Sequence, residues 1–182
     1  MILCAGRNET FSFAMPIGVG LVESAIALTE IIIKENPAFL FFVGTAGSYG
    51  KYKPLDILYA THASNIELGF LENACYTPLN SKISAKAPYV SRGTILPNIT
   101  VNSSNYITTD ILLSEKMVKN AIDIENMEFF SILSVANHFN IPCSGMFVVS
   151  NYCNANAHED FLKNHEKAKA LIRLHVEKNM KI

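Results

Sequence analysis

The segment "AFLFFVGTAGSYG", residues 38–50, constrains this chain most. Six apolar residues, Ala38 to Val43, run without a polar break and end in a Gly-rich turn. Alternation would signal a strand with one wet face, so an unbroken run of this length signals a strand buried on both faces. "CSGMFVVS", residues 143–150, is a second such run. Strands of this kind need helices on either side of their sheet. The chain offers them. Val19, Val22, Ala25, Ile26, Thr29, Ile32 and Ile33 recur at helical spacing, with Pro37 just beyond. "NMEFFSILSVANHFN" is amphipathic and closes on Asn140-Ile141-Pro142. "HEDFLKNHEKAKALIRLHVEK" carries acids early and bases late, as the helix dipole favours. The alternation predicts an α/β protein, a three-layer α/β/α arrangement with a mixed, mostly parallel central sheet. One domain over residues 1–182 is expected at this length.

Smaller elements fill the gaps. "MILCAG" and "TFSFAMPIG" read as two short strands joined by the polar turn "RNE", and "LDILYATHAS" as another strand. Residues 72–92, with Pro78 and Pro88, read as a surface excursion, and residues 93–107 as a strand and a polar loop. Residues 114–121 predict a short helix with Ser114 as its N-cap.

Composition excludes several roles. Fifteen Lys and Arg against sixteen Asp and Glu give a net charge of −1, so no basic excess points to nucleic acid or an acidic membrane surface. No apolar run approaches the ~20 residues of a membrane span. The N-terminus has no charged region leading into an apolar one, so no signal peptide is read. The four cysteines are scattered without CxxC spacing, which predicts reduced thiols in a cytoplasmic protein and neither a disulfide frame nor a zinc site.

In α/β sheets ligands bind beyond the carboxyl ends of the strands. The polar residues there are Gly44–Ser48, Ser103–Tyr106 and Ser150–Asn154. Each alone reads as a plain turn. His158 and His165 lie seven apart on one helix face and read as a solvated polar face, since no third ligand is evident.

Together, these segments resemble the nucleoside phosphorylase superfamily, which includes methylthioadenosine/adenosylhomocysteine nucleosidase. The resemblance rests on Ile17-Gly18-Val19-Gly20 opening a helix, the Gly44-Thr45-Ala46-Gly47 turn, Leu55-Asp56-Ile57, and "ENMEFF" followed by a strand closing on Ser150-Asn151. The 23 residues from Glu128 to Asn151 match the family spacing between its ribose-binding Glu and its catalytic Asp.

The resemblance implies cleavage of a purine nucleoside or thionucleoside at its N-glycosidic bond, in a homo-oligomer, with no cofactor beyond phosphate as a possible co-substrate. It implies that Met127 and Glu128 contact the ribose, a carboxylate being able to accept from two neighbouring hydroxyls. Tyr106 stands in the place of an aromatic that stacks on the base. Thr45 and Gly47 face the nucleophile side, and Ser150 precedes the catalytic position. Glu9, after the first strand, is the candidate for activating water.

The pattern also breaks. Asn151 replaces the catalytic Asp, and an amide cannot deliver a proton. It can hydrogen-bond a purine N7 or a 6-oxo group, or it marks a binding protein with catalysis lost. Asn126 replaces the first Glu of the family's Glu-Met-Glu. Phe42 stands where the phosphorylases carry a phosphate-holding Arg, and Arg7 is the nearby alternative. That favours water over phosphate as acceptor.

Overall fold

The computed structural model describes residues 1–88 and 99–179. The described elements, in order, are β1 (Ile2–Cys4), β2 (Met15–Pro16), α1 (Gly20–Glu35), β3 (Leu40–Ser48), β4 (Ile57–Ser64), α2 (Leu68–Leu71), β5 (Lys82–Ser84), β6 (Ile99–Asn102), α3 (Ile111–Lys119), β7 (Ile124–Glu125), α4 (Phe129–Phe139), β8 (Cys143–Tyr152) and α5 (Ala157–Asn179).

The two apolar runs become β3 and β8, which pair in parallel from Leu40/Cys143 to Ser48/Tyr152. Their alternate residues serve opposite faces. Leu40, Phe42, Phe147 and Val149 pack beneath α1 and α4, with Leu28, Ile32, Phe129 and Leu133. Phe41, Val43, Met146 and Val148 face α5, with Ala168, Ile172 and Val176. This is the expected helix–sheet–helix layering. Burying each of these large side chains contributes roughly 1.5–3 kcal/mol. Phe42, Phe129 and Phe147 form one aromatic group, with ring centroids 5.1–6.3 Å apart.

The sheet is mixed. β1/β2, β1/β3, β3/β8, β4/β6 and β6/β7 are parallel, whereas β3/β7, β4/β5 and β4/β8 are antiparallel. The pairings β3–β8–β4–β6–β7 return to β3, so these five strands close a ring. No periodicity in the sequence announces this closure. It depends on β7, two residues long.

Three local expectations are corrected. The second strand is only Met15–Pro16 and lies parallel to β1, so the intervening chain loops across the sheet end instead of forming a simple turn. A small bridge between Gly6 and Glu9 shapes that loop. The N-cap of α3 is Asp110, whose carboxylate accepts from the backbone N–H groups of Leu112 and Leu113. Ser114 is instead buried within α3, and its hydroxyl donates to Cys153 O at 2.6 Å. Third, the surface excursion contains β5, an edge strand on β4. Its last part and the beginning of the strand expected after Gly93 lie outside the described residues.

Candidate active site

The ends of β1, β3, β7 and β8 and the start of α4 surround a cavity of about 510 Å³. Glu9, Thr45, Gly47, Tyr106, Met127, Glu128, Ser150 and Asn151 all line it. Every site residue expected from the sequence thus reaches one chamber, from segments more than a hundred residues apart.

Glu128 sits at the entry to α4 and is 3% exposed. Its Oε1 accepts from Gly20 N at 2.9 Å, at the first residue of α1. Gly20 has φ +84°, and a Cβ there would meet Asn105 Oδ1 at 2.7 Å, so glycine is required twice over. The helix N-terminus favours the carboxylate. Burial wins over it and pushes the Glu128 pKa up to about 7, with the nearby Glu9 charge adding to the rise.

Glu9 is held by Thr45 of β3. Its Oε1 accepts from Thr45 Oγ1 at 2.6 Å and from Thr45 N at 3.0 Å. Burial raises its pKa, while the Thr45 hydrogen bonds and the charges of His165 and Lys169 oppose the rise.

Asn126 does structural work between the two. Its Oδ1 accepts from Glu128 N at 3.0 Å and Phe129 N at 3.1 Å, at the entry to α4, and its Nδ2 donates to Thr45 O at 3.1 Å. A Glu here could not make that donation. The side chain of Asn151 is oriented by Ser150 Oγ, which donates to Asn151 Oδ1 at 2.7 Å, while its Nδ2 donates to Tyr152 O at 3.1 Å. One Nδ2 proton is left for a ligand.

Tyr106 lines the cavity but is 81% exposed, so it stands at the mouth and not against a wall. Arg7 also reaches the rim, where its guanidinium pairs with Glu23 at 2.9 Å. Phe42 is fully buried in the aromatic group.

Two site features are absent from the sequence reading. Glu125, on β7, lines the cavity and is 9% exposed. His158 and His165 also line it; His158 is exposed, as a solvated helix face requires, whereas His165 is buried, and for that residue the expectation is corrected. His165 is 8% exposed. Its Nε2 donates to Asn8 O at 3.2 Å, and its buried Nδ1 has no hydrogen-bond partner among the described residues. Helical spacing did place the two histidines on one face; only the packing of α5 against the Glu9 loop shows that the His165 end of that face is buried. Among the described residues no group of three or more His, Cys, Asp or Glu could hold a metal ion, and no helix is long and apolar enough to cross a membrane.

The chamber therefore presents three buried carboxyl groups, Glu9, Glu125 and Glu128, and the Asn151 amide donor. Such a set can bind a polyhydroxylated ring, polarise a water and hydrogen-bond a heterocycle.

Known proteins share this frame. A search of curated proteins finds no match. Among solved structures, 5′-methylthioadenosine/S-adenosylhomocysteine nucleosidase from Helicobacter pylori with butyl-thio-DADMe-Immucillin-A has a TM-score of 0.79 at 18% identity, covering 97% of this chain and 95% of that one. Futalosine hydrolase of Helicobacter pylori gives 0.79 at 17% identity, covering 97% and 94%. A putative 5′-methylthioadenosine/S-adenosylhomocysteine nucleosidase from Francisella philomiragia gives 0.79 at 16%, covering 97% and 96%. Likeness at these identities establishes the fold. The sequence model of the phosphorylase superfamily matches residues 8–178, nearly the whole length, and so the chain belongs to the phosphorylase superfamily.

Proposed function

We propose that this protein hydrolyses the N-glycosidic bond of a purine nucleoside or thionucleoside. The observation that carries the reading is the convergence of Glu9 and Glu128 on one cavity with Asn151. Glu128 accepts the ribose hydroxyls and steadies the positive charge that develops on the sugar as the bond to the base lengthens. Glu9, fixed by Thr45, takes a proton from the attacking water. Asn151 Nδ2 hydrogen-bonds the purine, Ser150 orients that amide, Met127 lies against the sugar, and Tyr106 covers the base from the mouth. Gly47 keeps the wall beside the base open.

Water is the acceptor. Phe42 leaves no cation at the phosphorylases' phosphate position, and Arg7 is engaged by Glu23. A phosphate dianion without an Arg fork is poorly held. No metal or organic cofactor takes part. The neighbours in structure are nucleosidases and a futalosine hydrolase, which supports hydrolysis over phosphorolysis.

The test is release of free base from inosine, adenosine, 5′-methylthioadenosine and futalosine, with and without phosphate. Release from at least one, independent of phosphate, is expected; release from none overturns the reading. A second reading, a purine-binding protein without turnover, is favoured by one observation, the amide at Asn151. Thermal stabilisation by purines without base release would select it.

A further inference from the structure

We propose that Glu125 is the general acid of this site, donating to the departing purine the proton that Asn151 cannot supply. The proposal rests on the hydrolase reading above. Gly47 of β3 is paired on one side with Glu125 of β7 and on the other with Asn151 of β8. Residues in one row across a sheet share a face. The geometry agrees: a Cβ placed on Gly47 would meet Asn151 Nδ2 at 3.1 Å and Glu125 Cγ at 3.2 Å. The two side chains thus lean over the same glycine from neighbouring strands, and both border the cavity. A carboxyl is displaced by two strand positions from the amide that replaced it.

The surroundings suit an acid. Burial dominates and raises the Glu125 pKa, so the protonated form persists to higher pH than in water. The conjugate base is nevertheless provided for. Tyr49 OH lies 2.9 Å from Glu125 Oε2, and Thr108 N donates to Oε1 at 3.0 Å. The Cys153 thiol also hydrogen-bonds the carboxyl. The pKa values of both Tyr49 and Cys153 are raised, so both stay protonated and able to donate. These three are the groups that face Glu125 from the end of β3, from the segment before α3 and from the end of β8. They stabilise the carboxylate that forms when the proton leaves, without reorganisation.

The step balances. The C1′–N9 bond breaks with its electron pair on the purine, and Glu125 gives its proton to a purine ring nitrogen. Water oxygen bonds to C1′ and its proton passes to Glu9. Exchange with solvent then restores Glu125 to the acid and Glu9 to the carboxylate.

Glu125→Gln keeps the shape and the acceptor for Thr108 but removes the proton. Its turnover of a purine nucleoside is expected to fall by about 10²–10⁴-fold, the usual range for losing a general acid. Its turnover of 4-nitrophenyl riboside, whose leaving group needs no proton, is expected to stay at the wild-type rate. The alkaline fall in the wild-type kcat profile should disappear in the variant, and Asn151→Asp in the Glu125→Gln background should restore purine release. A purine rate unchanged by Glu125→Gln overturns the assignment, and so does an equal loss on both substrates, which makes the residue structural. Wild-type protein inert toward both substrates overturns the hydrolase reading itself, and the acid with it.

Discussion

Glu128 sits between opposing demands, because the ribose contact proposed for it calls for a carboxylate and burial favours the neutral acid. Its pKa is about 7 in the folded chain against 4.5 when solvated. The folded state therefore holds more protons than the unfolded one between those values, and stability falls as pH rises through that window. From this one group the loss is about 3 kcal/mol, each pKa unit being about 1.4 kcal/mol. Glu9 and Glu125 are raised as well and act in the same direction. Melting temperature is expected to be higher at pH 5 than at pH 7.5, and Glu128→Gln should narrow that difference while abolishing base release. Gly47 allows a sharper test. A methyl there would stand 2.8 Å from Cys153 Sγ and press on Asn151 and Glu125. Gly47→Ala is expected to cost about 1–3 kcal/mol by overpacking, read by chemical denaturation, and to lower turnover more than tenfold because both polar side chains are pushed aside. His165 offers a third. With Nε2 tied to Asn8 O and its charge favouring the Glu9 carboxylate, His165→Phe should move the acidic limb of the kcat profile to higher pH.

At the scale of elements, the entry to α4 gathers most of the site. Asn126 accepts from two backbone N–H groups at the helix entry with one side-chain atom and ties the entry to Thr45 with the other, so one residue links the segments that carry Glu128 and hold Glu9. Asn126→Ala is expected to cost about 1–3 kcal/mol, because it leaves buried backbone groups without their partner, seen as a lower melting temperature, and to raise KM for the nucleoside. The long elements were legible in the sequence because their signals are long: β3 and β8 as apolar runs, α1, α4 and α5 as helical periods. Strand β7 was not, and β2 was read too long, since two residues carry no period and exist only through their pairing. That is also why Glu125 escaped notice. It shares the polar side of "IDIE" with Asp123, which in sequence looks like the wet side, and only ring closure turns that side toward the cavity. Glu9, Thr45, Glu128 and Asn151 were found through family spacing. Their hydrogen bonds, Glu9 with Thr45 and Glu128 with Gly20 N, were not, because those depend on how α1, α4 and the Glu9 loop pack.

At the scale of the whole molecule, the cavity mouth is apolar and open. Tyr106, Ile107, Ile111 and Leu112 are all more than half exposed on the stretch leading into α3. A second copy of the chain over this rim would complete the wall proposed to hold the base and account for the exposure. Light scattering is expected to give a mass above the 20.1 kDa of one chain. Replacing Ile107 and Leu112 by Ser should return that mass to the monomer and raise KM.

The ring of strands bears on how the chain emerges during synthesis. Its largest seam, β3 against β8, joins residues 40–48 to residues 143–152. Until the ribosome has released β8, the edge of β3 carries unpaired backbone groups beside Phe41, Phe42 and Val43. An edge so apolar is a template for pairing with other chains. A fragment ending before Cys143 should therefore precipitate where the full chain stays dissolved, and slow translation would prolong that exposure. The strand that supplies Asn151 to the cavity is thus also the one that shields β3 from its neighbours on the polysome.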